Sequence, residues 1–180
     1  MKGFIFIGFL DLVEETFGLE SVEEIITQSE LPSKGIYTSI GTYQFSEMLS
    51  LITNLSRNTN ISVDRLLHVY GLYFFKIIKR DYPQILDSYD NAIDLLSSLE
   101  SHIHVEVQKI YPDAELPRFE VTVKDDDTLI LTYFSSRSMY AFGLGLMEKA
   151  LEYYKQDATI TYEKIKEDGS EVKFVISKNG

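Results

Sequence analysis

Two histidines near the middle of the chain are the residues best suited to bind a metal. His102 and His104 lie in segment 101–112, where apolar residues recur every three or four positions, the period of a helix. His104 falls on or beside the apolar face, whereas His102 lies about 200° around the helix from it. Because side chains at this spacing do not face each other, the two imidazoles cannot bind one ion together. A single imidazole on an apolar helix face is what a haem iron requires as axial ligand, although an ordinary core histidine has the same pattern.

A second group of polar residues ends a predicted strand. In an extended chain side chains alternate, so Tyr133, Ser135 and Arg137 are expected to project to one face. All three donate hydrogen bonds, and an arginine can bind a carboxylate in bidentate fashion. This trio therefore suits the propionates of a buried haem, whose charge must be neutralised. An ordinary cross-strand arginine pair remains the alternative, because a bare Tyr-x-Ser-x-Arg often occurs by chance.

The helices that position the histidines are predicted from the hydrophobic period. The histidine helix is expected over residues 92–111, with Asp90 or Asn91 as its cap and Pro112 as its end. Residues 3–17 fit either a helix or a strand, because aromatic and β-branched residues dominate their start. A capping box of Ser21 and Glu24 predicts a helix to about residue 28. Further helices are predicted over residues 46–57, 62–79, 84–88 and 138–154.

After Pro112 the pattern changes from helical to alternating. Strands are predicted over residues 119–123, 128–135, 159–166 and 171–177, with hairpin turns at Asp125-Asp126-Asp127 and Asp168-Gly169. Helices first and an antiparallel sheet later predict the α+β class. The 180 residues, 44% of them hydrophobic, are enough for one sizeable core, so we expect a single domain over residues 1–180.

Composition excludes several functions. The net charge of −11 makes nucleic acid an unsuitable partner, since an acidic surface repels phosphates. The chain contains no cysteine, which excludes disulfides, thiolate zinc sites and iron–sulfur clusters. The apolar start ends at Asp11 without a cleavage site, and no run approaches the ~20 apolar residues of a membrane span. We therefore expect a soluble, cytoplasmic protein without a membrane partner.

Several short motifs together resemble one family. They are Met1-Lys2-Gly3, the run from His104 to Tyr111, Leu116-Pro117-Arg118, Tyr133-x-Ser135-x-Arg137, Met139-Tyr140 and Gly145-Leu146. Their order and spacing resemble the haem-nitric oxide/oxygen binding (H-NOX) domains, which are similar to the haem domain of soluble guanylate cyclase. The likeness runs from residue 1 to about 177 and is closest to the bacterial stand-alone type.

The resemblance implies a fold and a cofactor. The expected cofactor is haem b (iron protoporphyrin IX), with His104 as the axial iron ligand and Tyr133, Ser135 and Arg137 as the propionate-binding trio. Pro117 matches the proline that distorts the porphyrin in this family. A helical subdomain over residues 1–60 is expected to cover the distal side, and residues 61–180 to carry the histidine helix and a four-stranded antiparallel sheet.

The resemblance also implies which gas binds. Oxygen-binding members have a distal tyrosine five residues after the motif arginine, and Phe142, which cannot donate a hydrogen bond, stands at that position here. The other matching distal residues are all apolar: Ile5, Phe9, Phe74, Ile78 and Leu146. We therefore expect the domain to bind nitric oxide and carbon monoxide and to exclude oxygen.

The resemblance further implies how the gas is signalled. Release of His104 from iron and relaxation of the haem are expected to be the signal. The chain is too short for an output domain as well, so the expected partner is a separate protein such as a histidine kinase or a cyclic-di-GMP enzyme.

Two other functions are weighed against gas sensing. A hydrolase using Ser135 or Ser136 with His104 and an aspartate is disfavoured, because the chain has neither Gly-x-Ser-x-Gly nor His-Glu-x-x-His. We therefore expect no enzymatic activity. A haem-free module that binds a small carboxylate or a lipid is the main alternative, and it would use the same Arg137 side chain and apolar pocket. An absorption spectrum distinguishes it, since only haem gives a Soret band.

Overall fold

The computed structural model describes residues 1–125 and 127–179, in which helices precede an antiparallel sheet. The elements are α1 (Gly3–Phe17), α2 (Leu19–Gln28), α3 (Phe45–Thr59), α4 (Val63–Asp81), α5 (Pro83–Asp87), α6 (Ala92–Ser97), α7 (His104–Ile110), β1 (Arg118–Lys124), β2 (Thr128–Phe134), α8 (Tyr140–Tyr153), β3 (Ala158–Lys164) and β4 (Glu171–Lys178). A π-helical turn, Leu99–Ile103, joins α6 to α7. The predicted α+β class is confirmed.

The first two helices are separated by a single glycine. Residues 3–17, which fitted helix or strand, form α1, and Gly18 ends it with a φ of 88°. Because glycine adopts this left-handed region easily, α2 restarts at Leu19, two residues before the predicted cap. The capping box at Ser21 is therefore wrong, and the Ser21 hydroxyl instead donates to the carbonyl of Phe17 at 3.0 Å.

Helices α4 and α8 pack closely because two glycines lie where they meet. A Cβ atom added to Gly71 would overlap the carbonyl oxygen of Phe142, and one added to Gly145 would overlap that of His68. The two backbones are therefore in direct contact at this point. Ser62 caps α4 as predicted, since its side chain accepts a hydrogen bond from the amide of Arg65.

The histidine segment is not the continuous helix that the period predicts. Asn91 caps α6, as one of the two predicted candidates, by accepting a hydrogen bond from the amide of Asp94 at 2.9 Å. The hydroxyls of Ser97 and Ser98 then donate to the Asp94 carbonyl, at 3.0 and 2.8 Å. Because these hydroxyls compete with the backbone for carbonyl groups, α6 ends and a π-helical turn precedes His104.

The sheet has the order β1-β2-β4-β3, and all neighbouring strands are antiparallel. Its buried face consists of alternate residues of the two central strands: Leu129, Leu131, Tyr133, Val172, Phe174 and Ile176. The predicted strand bounds are right to within two residues. Asp126, in the middle of the first predicted turn, lies outside the described residues. The last helix begins at Tyr140 rather than at residue 138, because Ser138 has a positive φ of 51°.

Candidate functional site

A cavity of about 520 Å³ lies between the histidine segment and helices α1, α4 and α8. Its walls are largely apolar, and polar side chains are concentrated near the end of β2. A site of this size, apolar with a few polar groups on one side, is typical of a cofactor pocket. The predicted site residues that line it are His104, Pro117, Tyr133, Ser135, Arg137, Ile5, Phe74, Ile78, Phe142 and Leu146.

His104, the first residue of α7, contributes its imidazole to the cavity wall with only 14% of the side chain exposed. Burial lowers the pKa of this imidazole, and the nearby Glu100 carboxylate opposes that shift. Nδ1 lies 3.4 Å from Glu100 Oε2 and makes no hydrogen bond within the described part of the chain. The imidazole is thus largely buried, and its lowered pKa favours the neutral form, in which histidine binds a metal.

His102 has a different environment. Its side chain is 44% exposed and does not line the cavity. Nδ1 is hydrogen-bonded to the hydroxyl of Tyr89 at 2.5 Å, and Nε2 lies 3.8 Å from the carboxylate of Glu106. The structure thus separates the two imidazoles in the way that the sequence predicts, with only His104 at the cavity.

The three polar residues near the end of β2 all reach the cavity, although not by strand alternation. Strand β2 ends at Phe134, and a turn rather than an extended chain carries Ser135 and Arg137 to the wall. The Tyr133 hydroxyl accepts a hydrogen bond from the amide of Met139 at 2.9 Å, and burial raises the pKa of this phenol. The Ser135 hydroxyl accepts one from the Arg137 amide at 3.2 Å.

Arg137 already binds a carboxylate. Its guanidinium forms an ion pair with the Glu115 side chain and also donates to the Glu115 carbonyl at 3.0 Å. The arginine side chain is 16% exposed, whereas that of Glu115 is 80% exposed. A largely buried guanidinium with an exposed partner can exchange that partner for another carboxylate, because the incoming group replaces the same hydrogen bonds.

The apolar wall opposite these groups carries most of the predicted distal residues. Ile5, Phe74, Ile78, Phe142 and Leu146 line the cavity. Phe9 does not, because its ring is fully buried behind the wall against Tyr70, with ring centroids 5.4 Å apart.

Nearby tyrosine hydroxyls are directed away from this wall. The Tyr73 hydroxyl donates to Glu15 at 2.7 Å and that of Tyr140 to Asp64 at 2.5 Å, and neither residue lines the cavity. The distal residues that do line it therefore present no hydrogen-bond donor from their side chains.

Sequence reasoning did not identify several lining residues, notably Met1, Phe4, Tyr82 and Tyr111. Tyr111 follows His104 by seven residues, two helical turns, so its place on the same face could have been inferred. The first residues of the chain could not, because their approach to the cavity depends on long-range contacts. The Met1 amine, for example, donates to the carbonyl of Tyr43 at 2.7 Å.

The fold and the site together define a class of protein. The family model described as haem-NO-binding matches residues 2–162, and the chain belongs to this family, the H-NOX domains. Members are haem-binding gas sensors related to soluble guanylate cyclase, and they act as sensors rather than as catalysts.

Solved structures of bacterial H-NOX proteins are similar over the whole chain. An Fe(II) unliganded H-NOX protein from K. algicida is 59% identical, with a TM-score of 0.98 over 100% of this chain and 97% of that one. The H-NOX of Shewanella woodyi, solved in the Fe(II)CO state with IWP-051, is 36% identical, with a TM-score of 0.83 over 99% and 95%.

Animal guanylate cyclases are more distant relatives. Soluble guanylate cyclase 89Db of Drosophila melanogaster is 25% identical over 163 residues, which are 88% of this chain and 24% of that protein. The chain thus spans about a quarter of this relative and of gcy-35 from Caenorhabditis elegans, which is also 25% identical. Within the described residues, no helix combines the length and apolar character needed to cross a membrane.

Proposed function

We propose that this domain senses nitric oxide with haem b, also binds carbon monoxide, and excludes oxygen. The observation that carries the proposal is the largely buried imidazole of His104 in the wall of an apolar cavity, whose distal residues Ile5, Phe74, Ile78, Phe142 and Leu146 have no side-chain donor. Bound oxygen gains from a hydrogen-bond donor, whereas nitric oxide binds ferrous haem tightly without one. The character of the distal pocket decides between such ligands.

The residues that line the cavity fit haem, and different residues would bind its iron, its propionates and its porphyrin. When bound, haem supplies a ferrous iron that takes diatomic gases as ligands. We propose that His104 holds the iron, that Tyr133, Ser135 and Arg137 bind the propionates, and that Pro117 presses on the porphyrin. The largely buried imidazole of His104 in the cavity wall and the exchangeable Glu115 at Arg137 support these roles.

The proposed signal is the release of His104 from iron when nitric oxide binds. Without that bond the imidazole would no longer tether α7, and His104 and α7 would then be able to move relative to Pro117, which lines the same cavity. The residues of the π-helical turn and of α7 are partly buried or exposed, so these segments are packed less tightly than α4 and α8. The preference of the gas for the released state is the free energy that drives the switch.

The proposed output is a separate signalling protein, such as a histidine kinase or a cyclic-di-GMP enzyme. Its contact surface is proposed to include the histidine side of the domain, where the movement begins. We also propose that residues 1–60 and 61–180 form a distal and a proximal subdomain that respond differently. The cyclase relatives are four times longer than the matched region, so their activity is not transferred to this chain.

Absorption spectra of the haem-loaded chain test the proposal. The reduced protein should show a five-coordinate ferrous spectrum, change on addition of nitric oxide to a five-coordinate form that lacks His104, and bind carbon monoxide. In air it should show no stable oxygen complex. A stable one would contradict the donor-free distal wall, and a protein that stays colourless after haem is supplied would favour the haem-free carboxylate or lipid module instead.

A further inference from the structure

Tyr111 ends the histidine helix at a point where three elements meet. Its amide donates to the carbonyl of Val107 at 2.8 Å and so closes the last turn of α7. Because Tyr111 follows His104 by seven residues, the two side chains share a face of the helix, and both line the cavity. A movement of His104 along the helix axis is therefore transmitted to Tyr111.

The ring of Tyr111 is stacked on the first helix of the chain. Its centroid lies 5.0 Å from that of Phe4 in α1, with an angle of 20° between the planes. Phe4 in turn contacts Phe74 of α4, with centroids 5.8 Å apart. Since Phe4 and Phe74 both line the cavity, the stack joins the end of the histidine helix directly to the wall on the distal side.

Two polar contacts fix the position of this ring. The Tyr111 hydroxyl lies 2.9 Å from that of Tyr82, the residue that ends α4, and burial together with Tyr111 raises the pKa of Tyr82. On another side, Lys2 Nζ lies 5.7 Å from the ring centroid and forms a 2.6 Å ion pair with Asp113. Contacts to α1, α4 and the chain start thus surround one side chain.

We propose that Tyr111 is a positioning residue that couples His104 to the distal wall, by moving Phe4 and with it α1 when α7 shifts. The proposal rests on the proposed function, because the release of His104 is the movement to be transmitted. Stacked rings in contact cannot separate without losing their packing, so α1 follows α7 through this pair. Tyr73 provides a contrast, because its hydroxyl also contacts α1, at Glu15, but it does not line the cavity that His104 shares.

Hydrogen exchange of the α1 amides tests the coupling in the haem-loaded chain. In the native protein, protection of residues 3–10 should differ between the ferrous state and the nitric oxide complex. In Tyr111→Ala most of this difference should be lost, because the ring that joins α7 to α1 is missing, while the spectrum still shows that His104 is released. The matched variant Tyr73→Ala should keep the native difference.

A second variant of the ring stack and a second way of detaching α7 from the haem ensure that the test gives a clear result. If Tyr111→Ala does not fold, Phe4→Leu takes its place. This variant removes the same ring stack from the side of α1 and should have the same effect on exchange. If both variants keep the native difference, or if the native chain shows none, the coupling is wrong. If the native nitric oxide complex retains His104, the proposed function fails instead. The coupling can then still be tested with His104→Gly loaded with haem and free imidazole, because in this variant α7 is no longer attached to the haem. The exchange of residues 3–10 is compared in the same way.

Discussion

The two walls of the cavity differ in how firmly they are held. The distal wall rests on α1, α4 and α8, where α4 and α8 touch backbone to backbone at Gly71 and Gly145. Behind it the rings of Phe9 and Tyr70 are fully buried. The histidine wall includes a π-helical turn and a short helix whose residues are partly buried or exposed, and the buried Leu95, Leu96 and Phe119 of neighbouring elements also line the cavity.

This difference assigns the two walls to different tasks. Because α4 and α8 touch backbone to backbone, this part of the distal wall keeps its shape and, under the proposed function, sets the polarity and the space that a gas molecule meets. The π-helical turn and α7 contain no buried residue, so they open locally at smaller cost and, under the proposed function, respond when the bond to His104 is lost. Each of these two parts can be tested by changing one side alone.

The largest effect is expected on the histidine side. Replacing His104 with alanine should abolish the five-coordinate ferrous spectrum, because no other imidazole described in the structure lines the cavity. His102→Ala is the matched control and should leave the spectrum intact, since His102 faces Tyr89 and Glu106. The reverse result would show that the wrong histidine has been assigned.

The next effect concerns the chemistry of the distal wall. Phe142→Tyr places a hydroxyl in the cavity, and a hydrogen bond to a charged acceptor contributes about 1.5–3 kcal/mol. Since about 1.4 kcal/mol corresponds to a tenfold change in affinity, oxygen affinity should rise tenfold or more. Spectra of the reduced protein under controlled oxygen measure this affinity. Phe142→Leu, which remains apolar, should leave oxygen unbound; oxygen binding by the leucine variant would mean that polarity is not the deciding property.

The close packing of α4 against α8, which supports the distal wall, is tested at Gly145. Gly145→Ala forces a methyl group against the backbone of α4 and should lower the free energy of unfolding by about 1–3 kcal/mol. Gly143→Ala, two residues earlier in α8, is the control, because an added Cβ there meets no neighbouring atom within 4 Å. Urea unfolding of both variants measures the difference, and equal stabilities would mean that the helices are not tightly packed.

The smallest effect is expected on the pH dependence of stability, through the ion pair between Asp113 and Lys2 near the chain start. The hydrogen bonds from Lys2 and then Thr42 lower the pKa of Asp113 from 3.8 to about 2. The carboxylate therefore stabilises the fold above pH 3.8, and this contribution is lost as the pH falls through about 2.

Asp113→Asn isolates this contribution. The variant should be less stable than the native chain above pH 4, and the difference should shrink as the pH falls toward 2 and disappear below it, as measured by urea unfolding at several pH values. Because the Asp113 carboxylate is exposed, about 1 M salt should reduce the difference. A difference that persists unchanged at pH 2 would have another cause.

Much of this architecture could be predicted from the sequence, and the errors have local causes. The wide apolar face of α4 and the alternation of β2 and β4 gave the right elements, because burial sets those periods. The break before His104 was missed, since hydroxyl competition at Ser97 and Ser98 does not alter the period. Phe9 was placed in the pocket by family position alone, whereas its ring is fully buried against Tyr70 and does not line the cavity.

The π-helical turn has a further consequence for the residue that follows it. The carbonyl of Ser98 accepts two amides at once, from His102 at 2.9 Å in the α-helical register and from Ile103 at 3.1 Å in the wider one. The winding of the chain ahead of His104 can consequently tighten or loosen by one residue while this oxygen keeps a donor throughout. The backbone ahead of His104 can therefore change its winding without leaving this carbonyl unpaired, and such a change would turn α7 as a unit about its axis.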